Sequence, residues 1–94
     1  MPRDVIEKIR DAIRTGNYDM TFHAVEEMAE DELVILDVEN AILRGKVVKK
    51  EKDDSHSVKY VIEGVGTDQS TPIGVVGRFK ETGIFLIITV YAIT

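Results

Sequence analysis

Residues 83–94 read GIFLIITVYAIT. Taken as a strand, this stretch sends Ile84, Leu86, Ile88, Val90 and Ala92 to one side and Phe85, Ile87, Thr89, Tyr91 and Ile93 to the other. Both faces are then apolar, which is the pattern of a strand inside a sheet. The stretch has no charge, no proline and no interior glycine. It is too short and too β-branched for a membrane span, which needs about 20 apolar residues. If helices cover one face only, then Phe85, Ile87, Tyr91 and Ile93, or the opposite set, look outward and need a second cover. The first helix or another chain can supply it.

Upstream, the apolar spacing is helical. Val5, Ile6, Ile9, Ala12 and Ile13 recur at three and four, with Pro2 placed to start a helix and Gly16 to end it. Asn17 to Thr21 reads as a turn or a short extended piece, with Asp19 or Thr21 as the cap of a second helix that holds Phe22, Val25, Met28, Ala29 and Leu33. Five acids, Glu26, Glu27, Glu30, Asp31 and Glu32, fall in this segment. They read as a solvated helix end, or else as a docking face for a basic partner. Asp37 is placed to cap a third helix with Val38, Ala41 and Ile42 inside and Gly45 as its stop.

After Gly45 the period changes to two. Lys46–Lys52, Val58–Val65, Pro72–Lys80 and Gly83–Ile93 read as four strands, separated by turn residues at 53–55, 66–69 and 81–83. Links this short join antiparallel neighbours. The expectation is one α+β domain over residues 1–94, with the N-terminal helices on one face of a four-stranded antiparallel meander and the lysine-rich first strand at an edge.

The 94 residues carry a net charge of −5, unevenly spread. Residues 1–45 hold five basic and eleven acidic side chains, and residues 46–94 hold seven and six. A general attraction to phosphate backbones is excluded, so a nucleic acid needs a local basic site, and no DNA binding is expected of this domain. With no cysteine there is no disulfide, thiolate nucleophile or thiolate metal site. His23 and His56 lie in different segments, so neither metal nor cofactor is expected. The charged N-terminus lacks a secretory apolar core, which gives a cytoplasmic expectation and no membrane partner.

His23 lies three and four residues before Glu26 and Glu27, so on a helix either carboxylate can orient its ring for acid–base work. The alternative is a structural histidine at a helix start. Tyr91, and less so Tyr60, can stack a base or donate a phenolic proton, or else pack as strand aromatics. Arg78, Lys59 and Lys80 are the candidates for holding a phosphate. Lys46, Lys49, Lys50 and Lys52 guard a sheet edge or meet a nucleic acid. Gly64, Gly66, Gly74 and Gly77 precede no helix, so they make no phosphate loop; they mark bulges or places where a helix presses on the sheet.

His23-Ala-Val-Glu-Glu-Met-Ala-Glu, then Asp37-Val-Glu-Asn-Ala-Ile-Leu-Arg-Gly-Lys-Val-Val, and at the end Ile88-Thr-Val-Tyr91, together resemble the family catalogued as domain of unknown function 4258. The resemblance covers about residues 18–94 and implies a fold similar to the RelE-like toxins of toxin–antitoxin pairs. Those proteins act on messenger RNA and are held inactive by a partner. Joined to the residues read above, it gives the expectation of an endoribonuclease, with His23 and Tyr91 catalytic, Arg78, Lys59 and Lys80 on phosphate, and RNA and an antitoxin-like protein or a second copy as partners. Family members commonly carry Glu-Arg shortly after the methionine, where this chain has Glu30-Asp31-Glu32. The substitution removes a cation able to hold phosphate. The other reading is a non-catalytic interaction module of the same fold, binding a partner protein or a second copy as a homodimer.

Overall fold

Helix α1 (Val5–Arg14) buries Ile9, Ala12 and Ile13. Gly16, in the left-handed region at φ 73, ends it, and the Asn17 N–H closes back on the Ala12 carbonyl at 2.8 Å. The computed structural model describes residues 4–52 and 57–93. Pro2, the turn at Asp53, Asp54 and Ser55, and His56 lie outside the described residues. The remaining elements are β1 (Tyr18–Met20), α2 (Phe22–Glu30), α3 (Ile35–Arg44), β2 (Lys46–Lys52), β3 (Val58–Val65), β4 (Pro72–Phe79) and β5 (Phe85–Ala92).

The sheet has five strands in the order β1-β5-β4-β3-β2. The expected four strands are present as an antiparallel meander. The expectation of four is corrected by β1, which pairs with β5 in parallel, Tyr18 beside Phe85 and Met20 beside Ile87. β5 is thereby central over its first half, and β2 is an edge.

α3 packs on β3 and β4, α1 on α3 and β5, and α2 against β5. Ile9, Val38, Ile42, Ile62, Ile73, Val75, Phe85, Ile87 and Val90 are fully enclosed between these layers. Phe79 meets Phe85 edge to face at 5.1 Å. Arg10 ties α1 to the end of α3, donating to the Gly45 carbonyl at 2.9 Å and to Glu7 at 2.8 Å.

Thr21 is the cap of α2, its hydroxyl accepting from the Ala24 N–H at 3.0 Å. Leu33, expected inside α2, lies beyond it. The helix ends in a reversal in which the Leu33 N–H reaches the Met28 carbonyl at 2.8 Å and Glu32 takes φ 58. A side chain there costs about 1–2 kcal/mol relative to glycine. Glu32→Gly is therefore expected to stabilise the fold by about 0.5–1 kcal/mol after glycine's extra unfolded-state freedom is counted, read as a higher urea midpoint at unchanged slope.

Asp37 is not the cap of α3. The helix starts three residues earlier than that cap would give, with Val34 at the cap position. The Asp37 carboxylate instead accepts the Val34 N–H at 3.0 Å from within the first turn.

Candidate functional site

The phase of β5 decides which side chains face away from the helices. Val76 pairs with Thr89, but Gly77 pairs with Ile87, so Ile88 is an extra residue and the alternation reverses there. Phe85, Ile87 and Val90 go to the core, and Leu86, Thr89, Tyr91 and Ile93 to the other face. The outward set is thus neither of the two that strict alternation gives.

No described helix packs on that outer face. Its middle holds half-buried Val61, Val76, Leu86 and Thr89. Beside them Lys59 comes alongside Arg78, one step beyond the Tyr60–Gly77 pair, and Arg78 sits opposite Leu86. Lys49 on this face pairs with Glu51 at 3.0 Å, and Lys80 approaches Asp19 at 4.0 Å. Among the described residues Lys59 and Arg78 have no ion-pair partner. Two adjacent cations on an apolar bed can hold one anionic group from two directions.

Tyr91 lies further along the same face, its ring laid across β4. A Cβ built on Gly74 falls 2.2 Å from the Tyr91 Cζ, so the absence of a side chain at Gly74 gives the ring its place. Tyr60 instead packs toward the core and is not part of this face.

His23 stands at the start of α2, 69% exposed, with Nε2 3.2 Å from Glu27 Oε1. The same oxygen accepts the Val90 N–H at 3.4 Å, and Asp31, one turn on, accepts the Ala92 N–H at 2.9 Å. Thr21 donates its hydroxyl to the Ile88 carbonyl at 3.0 Å. Where β1 stops, side chains of α2 and its cap finish the open edge of β5 in place of a strand. Two of the five acids thus have backbone partners, and the column His23, Glu27, Asp31 runs along the edge of the sheet.

The structure brings Lys59, Arg78 and Tyr91 onto one face and sets His23 on the helix that flanks it. Concavities near 340, 250 and 390 Å³ lie elsewhere, between α1 and β2, between α1 and the β4–β5 turn, and between the end of α2 and the β3–β4 loop. None of these three is lined by His23, Lys59, Arg78 or Tyr91. Among the described residues no group of three or more His, Cys, Asp or Glu is placed to hold a metal ion.

A family profile described as a domain of unknown function (DUF4258) matches residues 20–92. The chain belongs to this family. No curated protein and no solved structure matches the chain. Among the described residues of this DUF4258 domain no helix is long and apolar enough to cross a membrane.

At the far end of the domain, Asp37 latches the β3–β4 loop to α3. Its carboxylate accepts the Thr67 N–H at 2.9 Å and the Thr67 hydroxyl at 2.7 Å, while Asn40 donates to the Val65 and Gly66 carbonyls at 2.9 Å each. Hydrogen bonds from Val34 and Thr67 hold the Asp37 carboxyl below its ordinary value, and bonds from Thr71 and Ser70 hold Asp68 at about 2. Tyr18 is pushed up to about 12 by burial and by its 2.6 Å bond to Glu39.

The lowered carboxyls favour the fold fully above the ordinary value of 3.8, and lose that contribution as pH falls toward about 2 for Asp68. The raised phenol favours the fold fully below 10.0 and loses its contribution as pH climbs toward about 12. Urea unfolding followed across pH is expected to show both limbs. Asp37→Asn should flatten the acid one, and Tyr18→Phe the alkaline one.

Proposed function

We propose that this DUF4258 domain acts on RNA across the uncovered sheet face, as a RelE-like toxin endoribonuclease or a relative of one. The observation that carries this reading is the pairing of Lys59 with Arg78 on the same face as Tyr91, in a chain whose net charge is −5. Glu51 stands opposite Lys59 in the β2–β3 ladder but is engaged by Lys49 at 3.0 Å, so among the described residues both cations are available to an anion. The apolar bed around them strengthens each contact by lowering the local dielectric.

In this reading Arg78 and Lys59 bind the scissile phosphate and stabilise the charge that builds on its oxygens, with Lys80 at the margin. Tyr91 offers its ring to a base and its hydroxyl to the reacting group. His23, held by Glu27, exchanges the proton. The 2′-hydroxyl loses its proton to a base and its oxygen bonds to phosphorus. The bond to the 5′-oxygen breaks, and an acid protonates that leaving oxygen, giving a 2′,3′-cyclic phosphate and a 5′-hydroxyl. The acids at Glu30, Asp31 and Glu32 stand where the family commonly has an arginine, which leaves Arg78 and Lys59 as the anion-holding pair.

Induced expression in a bacterial host tests the reading, wild type beside His23→Ala. The wild type is expected to arrest growth and degrade messages, and His23→Ala to lose about 100-fold or more of the cleavage rate. His23 is exposed, so the variant should fold. A wild type that leaves growth and messages intact would overturn the proposal.

A further inference from the structure

We infer that the outer surface of α2, continued by the first turn of α3, is a docking site for a basic amphipathic helix of a partner protein. This surface is separate from the sheet face and does not depend on what that face binds. Ala24 and Met28 turn α2 toward the core, which leaves Phe22, Val25 and Ala29 in an outward stripe at intervals of three and four. Phe22 is 79% exposed. After the turn, Val34, Ile35 and Leu36 are exposed as well, Leu36 to 61%. Five of the six large apolar side chains exposed among the described residues therefore fall between positions 22 and 36. The stripe on α2 and the exposed start of α3 each present apolar area that gains free energy when another apolar surface covers it.

Charge identifies the occupant. Glu26, Glu30 and Glu32 border the stripe without the β5 contacts that engage Glu27 and Asp31, and no lysine or arginine occurs between Arg14 and Arg44 to neutralise them. A partner helix with apolar anchors at three- and four-residue spacing and lysine or arginine beside them matches both features. An anionic lipid surface is repelled by the same acids. A second copy of this chain offers cations on α1, whose apolar residues Ile9, Ala12 and Ile13 are buried in its own core, and on β2, an extended strand whose one large exposed apolar residue is Val48 at 43%, so neither element presents a row of anchors beside its charges.

The probe is a labelled synthetic helix of about 18 residues, five turns, with leucine on one face and lysine on the other. Its binding is measured by fluorescence anisotropy, with the protein's oligomeric state followed by sedimentation. A monomeric wild type is expected to bind it with micromolar affinity and to ignore a leucine–glutamate counterpart. The double variant Phe22→Ser/Leu36→Ser keeps every charge and should bind at least about tenfold more weakly, as loss of an aromatic anchor implies. Both positions are exposed, so its circular dichroism and urea midpoint should match the wild type. The proposal fails if the double variant binds equally well, if neither protein binds, or if the wild type is a dimer that the double variant dissolves, since a second copy then covers the stripe.

Discussion

Gly64→Val is expected to leave no cooperatively folded protein. Gly64 lies where α3 crosses β3, and a Cβ built there falls 2.2 Å from the Ala41 carbonyl oxygen and 2.9 Å from the Ala41 Cα. Both are backbone atoms of a helix, so no rotamer change relieves the contact, and the helix must lift. Lifting it uncovers Val38, Ala41 and Ile42, all fully enclosed. Even Gly64→Ala should cost about 3 kcal/mol, the upper end for overpacking. Valine adds two more carbons to the clash, against a total stability of order 5–14 kcal/mol for a chain this size. Gly66→Ala is the milder comparison: its nearest contacts are side-chain ends, an Asp37 carboxylate oxygen at 3.1 Å and the Ile73 Cδ1 at 3.2 Å, which need give only slightly, and the expected loss is about 1 kcal/mol. Urea unfolding of the three variants checks the order. A Gly64→Val protein with a normal transition would mean that α3 does not approach the sheet as described.

The second large effect is functional. Lys59→Ala/Arg78→Ala should weaken binding of single-stranded RNA by about 100-fold or more, since each charge-assisted hydrogen bond contributes about 1.5–3 kcal/mol. It should also make the dependence of binding on salt shallower, by about 0.7 in the log–log slope for each phosphate that is no longer neutralised. Neither side chain has an ion-pair partner among the described residues, so the urea midpoint should barely move. Lys50→Ala/Lys52→Ala removes the same charge from β2 positions whose register partners, Tyr60 and Val58, lie on the helix side. That pair should keep most of the affinity. Equal losses in the two double variants would show a general charge effect and no site.

Much of this architecture is legible in the residues. Helical spacing placed α1, Thr21 and Gly45 mark the start of α2 and the end of α3, and the change to period two placed β2 to β5. β1 was legible only as a short extended piece, because three residues carry no period and its partner lies more than sixty positions away. The bulge at Ile88 was hidden for a different reason: a strand apolar on both sides shows no phase, so nothing marks where the phase slips. The acid run on α2 reads as solvated surface until Glu27 and Asp31 are seen to receive backbone N–H groups of β5, partners that leave no side-chain signature. Of the site, Arg78, Lys59, Tyr91 and His23 were nameable from residue type and resemblance. That the first three share a face, and that Tyr60 leaves it, depends on register. Gly74 as the seat of the Tyr91 ring was likewise visible only in three dimensions.

A nitrogen-15 NMR titration of the domain with a short single-stranded RNA at physiological ionic strength tests the central claim most directly. The account predicts the largest shifts at Lys59, Val61, Val76, Arg78, Thr89 and Tyr91, a further shift at His23, and none at Val25 and Ala29 on the outer stripe of α2. Shifts gathered on that outer stripe, or none on β3 to β5, would contradict it.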